Sequence, residues 1–204
     1  MILLDKRTVI LGLLVSGVAA CAKPAAAVPA DMSLGNPKAP VTVIEYASVA
    51  CPVCGQWYRD NYAAFKAKYI DSGKVRYVTR EMLVGDATEE SIAAAGFLLA
   101  RCAGKDKYYA VTDAIYRNQV EIFSDPRTGL LKVARSVGVD EKQFDACTRD
   151  PAALQALDAR VQGYLKTDKV SATPTFVVNG KTMELGYHSL AELGAAISAA
   201  GGGK

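Results

Sequence analysis

The sequence predicts an α/β domain in which a βαβ unit and a ββα unit enclose a block of helices. Three observations carry this. Apolar, β-branched runs cluster at the two ends of the domain, at Val41 to Ala47, Val75 to Thr79 and Thr175 to Val178. Between them, from Ala87 to Asp168, the periodicity is helical throughout. After the last run stands Asn179-Gly180, a pair suited to a type I′ hairpin turn because both positions take positive φ. A chain of 204 residues has room for one domain with a sizeable core and an insertion.

Along the chain, Lys6 and Arg7 precede an apolar run, Val9 to Ala20, that is short for a bilayer span. Residues 1–21 therefore read as a targeting segment. Two processing routes fit. Val18-Ala19-Ala20-Cys21 resembles a lipoprotein lipobox, in which Cys21 becomes the acylated first residue. Ala20-Cys21-Ala22 also fits small-x-small cleavage, which discards Cys21. Residues 22–40, with four prolines and many alanines, read as an extended tether. Either route exports the domain to a compartment where disulfides persist. Formal charge is +3 overall, and losing residues 1–21 removes two cations and one anion to leave +2. No basic run or aromatic-interleaved patch appears, so nucleic acid is not indicated.

The domain then divides into 41–86, a helical insertion at 87–168, and 169–200, with a fraying tail at 201–204. Breakers at Gly104, Asp125-Pro126, Gly138 and Asp150-Pro151 split the insertion into helices near 88–102, 105–119, 127–137, 140–148 and 151–167. Lys181 to Leu185 reads as the returning hairpin strand. Ser189 with Glu192 forms a capping box that opens a last helix, Leu190 to Ala199.

The chemistry concentrates in Cys51-Pro52-Val53-Cys54, between the first strand and a helical pattern through Trp57, Tyr58, Tyr62, Phe65 and Tyr69. Cys51 falls at the helix N-cap with Pro52 at the first helical position. Unpaired N–H groups and the helix dipole favour a thiolate there, and the thiolate is the form that attacks and leaves. The motif thus reads as a redox pair, Cys51 attacking and Cys54 resolving. A zinc site would need two further ligands, and neither a second Cys-x-x-Cys nor a histidine besides His188 exists. An inert bridge across so short a loop gains little. Cys102 and Cys147 remain; bridged, they close a loop of about 46 residues worth roughly 4 kcal/mol, and otherwise they are two buried free thiols.

With Thr173-Pro174-Thr175 leading into the hairpin, this order resembles the DsbA-like thiol–disulfide oxidoreductases, a thioredoxin fold with an inserted all-helical domain. The resemblance covers about Val41 to Ala200. It implies a cis Pro174 packed beside the sulfurs, and a Thr173 backbone that pairs with an extended substrate peptide. It also implies that Glu45 is the buried acid that exchanges a proton with Cys54. A carboxyl in an apolar strand resists ionisation; the plainer reading of Glu45 is an edge-strand surface residue. One departure is Val53, where strongly oxidising relatives carry histidine, so a weaker oxidant is expected. His188 reads as a surface residue. Tyr108, Tyr109, Tyr116 and Phe123 read either as core or as the lining of a peptide groove.

The expected function is oxidation of thiols in reduced or unfolded secreted proteins in the periplasm. The pair would be regenerated by a membrane quinone-linked oxidase, in a monomer needing no metal or organic cofactor. The rivals are a reductase or isomerase kept reduced by a membrane donor, and a non-catalytic, thiol-based metal-binding lipoprotein.

Overall fold

Strand β2, Val41–Ala47, is the centre from which the site is built. In the computed structural model, which describes residues 30–202, it pairs in parallel with β3, Val75–Glu81, and antiparallel with β4, Thr175–Val178. The full sheet runs β1-β3-β2-β4-β5, with β1 at Met32–Leu34 and β5 at Lys181–Thr182. The fold class expected from the sequence holds. Two edges differ from expectation. Met32–Leu34 lies in the stretch read as tether, yet pairs antiparallel with β3, so the domain begins before Val41. Its three residues between proline-rich segments are too few to show a period. The returning strand is regular only through Thr182 rather than Leu185; beyond it the Met183 and Gly186 N–H groups still reach the Phe176 and Pro174 carbonyls, but the backbone leaves the strand, with Gly186 at φ 112°. Asn179 and Gly180 take φ of 45° and 81°, the two positive values a type I′ turn requires.

Helix α1 crosses from β2 to β3. It starts as Pro52–Trp57 and continues to residue 70 through wider, π-type turns at Tyr58–Tyr62 and Lys66–Ile70. Its apolar stripe, Trp57, Phe65 and Tyr69, packs on the sheet with Tyr77 and Phe176. Helix α8, Leu190–Ile197, opens on the Ser189–Glu192 capping box and buries Leu193 and Ile197 in the same core.

The inserted helices are α2 (Ala87–Cys102), α3 (Tyr108–Arg117), α4 (Gln119–Ser124), α5 (Pro126–Ser136), α6 (Glu141–Thr148) and α7 (Pro151–Gly163). Asp86, Asp125, Asp140 and Asp150 cap the N-termini of α2, α5, α6 and α7, each such cap contributing about 1 kcal/mol. Asn118 ends α3 near the close of the segment read as 105–119, and α4 carries the helix on past it to Ser124. Tyr108, Tyr109 and Tyr116 are core residues, Tyr116 stacking on Tyr58 of α1 at 4.0 Å, and of the four aromatics only Phe123 reaches the surface.

One buried ion cluster fastens the insertion to the sheet. Glu81, at the end of β3 and fully buried, accepts two hydrogen bonds from Arg160 of α7 at 2.7 and 3.0 Å. Its other oxygen takes Arg101 of α2 at 2.7 Å and the Tyr108 hydroxyl at 3.1 Å. Cys102 and Cys147 are joined by a disulfide, their Cα atoms 5.9 Å apart, which ties α2 to α6 across 45 positions of sequence. Among the described residues no helix is long and apolar enough to cross a membrane. The leader, Cys21 and the last two residues of the tail lie outside the described residues.

Candidate active site

Cys51 is the N-cap of α1, in extended backbone with φ −69° and ψ 121°, and Pro52 opens the helix. Its Sγ faces the Cys54 N–H at 3.5 Å and the Thr173 carbonyl at 3.6 Å. The two contacts belong to two protonation states. The thiol donates to the carbonyl, whereas the thiolate accepts from the N–H. Both cysteines are free thiols, Cys51 half-buried and Cys54 fully buried.

These positions drive the two thiols apart. The Cys51 pKa is lowered to about 6, chiefly because the Cys54 thiol hydrogen-bonds to the thiolate. Partial burial opposes this, while the Thr173 hydroxyl and the N–H groups of Cys54 and Val53 reinforce it. Cys54 is pushed well above the ordinary thiol range, first by burial and then by its bond to Cys51.

The Thr173–Pro174 peptide is cis, and the Thr173 carbonyl lies against Cys51. Glu45 sits in β2, opposite Phe176 of β4 and Thr79 of β3, and is fully buried. Burial raises its pKa to about 8. Hydrogen bonding from Tyr77 pulls the other way, and the Cys51 charge adds to the rise. One carboxyl oxygen accepts from the Tyr77 hydroxyl, which is 2.9 Å from the Tyr58 hydroxyl; the other oxygen has no hydrogen-bond partner. A carboxyl with one oxygen held and one free can pass a proton to a nearby group without reorienting.

His188 corrects its sequence reading. It is only 9% exposed, packs edge-on against Phe176, and its Nε2 lies 2.6 Å from the Glu184 carbonyl. The last loop folds it under β4, a contact that its position before a helix does not reveal.

Gln119 was invisible in the sequence. This buried residue of α4 donates its side-chain amide to the carbonyls of Val49 and Cys51, at 3.0 and 2.9 Å. No local pattern marks it, since its partners lie about 70 positions away.

Comparison with known proteins agrees with this geometry. A thioredoxin family model matches residues 27–199. A Rickettsia bellii protein provisionally named a protein-disulfide oxidoreductase is 32% identical over 173 residues, 83% of this chain and 64% of that one. A Bacillus cereus protein provisionally named disulfide bond formation protein D is 29% identical, over 78% and 75% of the two chains. The crystal structure of Wolbachia pipientis alpha-DsbA1 superposes with a TM-score of 0.75 at 25% identity, covering 86% of this chain and 92% of that one. The chain spans only 56–64% of the length of the Rickettsia relatives it matches. Fold, sequence and the dithiol at the head of α1 converge: the chain belongs to the thioredoxin family, in its DsbA-like branch.

Proposed function

We propose that the protein is an extracytoplasmic thiol–disulfide oxidoreductase that introduces disulfides into secreted proteins through Cys51 and Cys54. A substrate thiolate attacks Cys51 Sγ of the oxidised pair, the S–S bond breaks, and Cys54 leaves as a thiolate that takes a proton from Glu45. A second substrate thiolate then attacks the substrate sulfur of the mixed disulfide. The substrate disulfide forms and Cys51 leaves as a thiolate. The substrate gives up two electrons and two thiol protons; the pair takes both electrons, one proton re-protonates Glu45, and the other goes to solvent.

The observation that carries this reading is the split between the thiols, with Cys51 lowered to about 6 and Cys54 raised. A stable Cys51 thiolate favours the reduced protein and therefore makes the disulfide an oxidant. Burial of Glu45 supports its role as proton donor at neutral pH, because it still holds its proton there. Thr173 and Pro174 form the face on which an extended substrate segment docks by backbone pairing. In this reading the protein is a periplasmic monomer, recharged by a membrane quinone-linked oxidase, and Cys21 carries a lipid when the lipobox is used.

The test is a glutathione equilibration of the Cys51–Cys54 pair together with oxidative refolding of a reduced, denatured disulfide protein. An oxidase has a potential near or above that of the extracytoplasmic thiol pool and supports refolding only when supplied oxidised. Activity confined to the reduced form would assign it to the reductases or isomerases. Stoichiometric zinc or copper binding without exchange would assign it to metal carriers.

A further inference from the structure

The Cys51–Pro52 peptide has no N–H, so the Cys51 carbonyl is the polar handle by which that peptide plane can be held. The orientation of this carbonyl sets ψ of Cys51, and ψ in turn decides whether Sγ overhangs the Cys54 N–H. Two donors hold it. One is the Gly55 N–H at 3.0 Å, the first bond of α1. The other arrives from the inserted domain, where Gln119 Nε2 donates to Cys51 O at 2.9 Å and to Val49 O at 3.0 Å.

The amide is itself held. Its Oε1 accepts from Arg59 at 3.3 Å, and the same Arg59 nitrogen donates to the Tyr116 carbonyl at 2.9 Å. Gly55 makes the fit feasible, since a Cβ at that position would overlap the Gln119 side-chain amide. The loop carbonyls, a glycine without a side chain, a buried amide and an arginine thus interlock around one peptide plane.

We propose that Gln119 is a positioning residue for exchange at Cys51. Its amide fixes the Cys51 and Val49 carbonyls so that Sγ stays over the helix N-terminus, and Arg59 fixes the amide. The inserted domain thereby sets the reactivity of a thiol it does not carry. This rests on the exchange reading of Cys51, but its first measurement needs no turnover.

Gln119→Met keeps length and bulk and removes both donors; Gln119→Glu keeps the acceptor for Arg59 and offers no N–H. In the reduced protein, thiolate absorbance against pH reports the Cys51 titration, and glutathione equilibration reports the potential. Both variants are expected to move the titration upward by about one pH unit and to lower the potential by about 30 mV, the two-electron equivalent of tenfold. Arg59→Met, which frees the amide without touching the loop, should shift both the same way by less. Asp140→Ala removes the α6 cap in the same inserted domain; it should lower Tm and leave both readouts unchanged. An unmoved titration and potential in the folded Gln119 variants, or equal shifts in Asp140→Ala, would overturn the proposal. A Cys51 titration that moves in a protein whose wild type exchanges no disulfides would overturn the exchange reading and leave the positioning role standing.

Discussion

The Tyr77 hydroxyl hydrogen-bonds the Glu45 carboxyl in a place where neither residue reaches solvent. Because Tyr77 donates to the carboxylate, the Tyr58 hydroxyl must donate to Tyr77, and the two phenols act in series on one acid. Both lower the Glu45 pKa against the larger effect of burial. Tyr77→Phe should therefore raise it above its present value of about 8. The protonated carboxyl stretch in oxidised-minus-reduced infrared spectra, followed against pH, reads this directly. A midpoint that stays put or falls would separate Tyr77 from the acid's titration.

Glu45 and Cys51 also give the reduced protein an unusual stability profile. Glu45 keeps its proton to about pH 8 in the fold, against 4.5 for the ordinary carboxyl, so stability falls as pH rises across that window. Cys51 is lowered from 9.0 to about 6, so the unfolded chain binds the extra proton between these values and stability rises with pH. Together they predict a fall from pH 4.5 to 6, a near-plateau to 8, then a rise to 9. The oxidised protein lacks the Cys51 titration and should only fall. Urea unfolding of both forms at pH 5, 7 and 9 checks this: the gap between reduced and oxidised stability should widen from pH 6 to 9, and a constant gap contradicts the assigned thiolate.

Alkylation separates the two thiols kinetically. Half-buried Cys51 should react with iodoacetamide at a rate whose pH midpoint lies near 6, while buried Cys54 stays unmodified in the native protein. Peptide mapping after brief labelling at pH 7 gives the answer. Equal labelling of both would defeat the division of roles.

Glu81 holds two arginines, one of them Arg160 with only 3% of its side chain exposed. Glu81→Ala leaves two guanidinium groups without their anion inside the fold, and breaking a buried pair this way costs about 3–5 kcal/mol. Urea denaturation should show a loss of that order. A loss under about 1 kcal/mol would mean that water already reaches the arginines.

Val53, 39% exposed between the two cysteines, is the position for retuning. Val53→His places an imidazolium beside the helix N-terminus, where it stabilises the Cys51 thiolate and with it the reduced form. A contact of about 1.4 kcal/mol corresponds to roughly 30 mV for a two-electron couple, so the potential should rise by tens of millivolts as the Cys51 pKa falls. Glutathione titration with thiolate absorbance measures both; a potential that rises at fixed Cys51 pKa would place the tuning elsewhere.

Local chemistry made much of this legible from sequence, and contacts between distant segments supplied the rest. The strand before Cys51, Pro52 at the head of the helix and Asn179-Gly180 each state their conformation within a few residues. The family resemblance added Thr173, Pro174 and Glu45. Gln119 is a different case, because its function comes from where α4 is carried by the insertion, and a glutamine in a helix looks like a surface residue. Met32–Leu34 escaped because a three-residue strand has no period of its own. Tyr58 and Tyr77 read as apolar periodicity; only the fold turns them toward one carboxyl. His188 reads as a surface residue because the ring that covers it, Phe176, lies 12 residues away.

The sheet ends in β1, three residues long, and β5, two residues long. Long open borders recruit extended chains indiscriminately, through rows of unsatisfied amides that another strand can zip onto. Under the proposed function the protein would meet unfolded polypeptides and be unusually exposed to that hazard, because such clients are the sticky material. Among the described residues, borders this short leave little template for clients to nucleate a shared sheet. In the exchange reading proposed above, backbone pairing with a client would then be concentrated at the Thr173 segment, whose carbonyl lies beside the Cys51 sulfur.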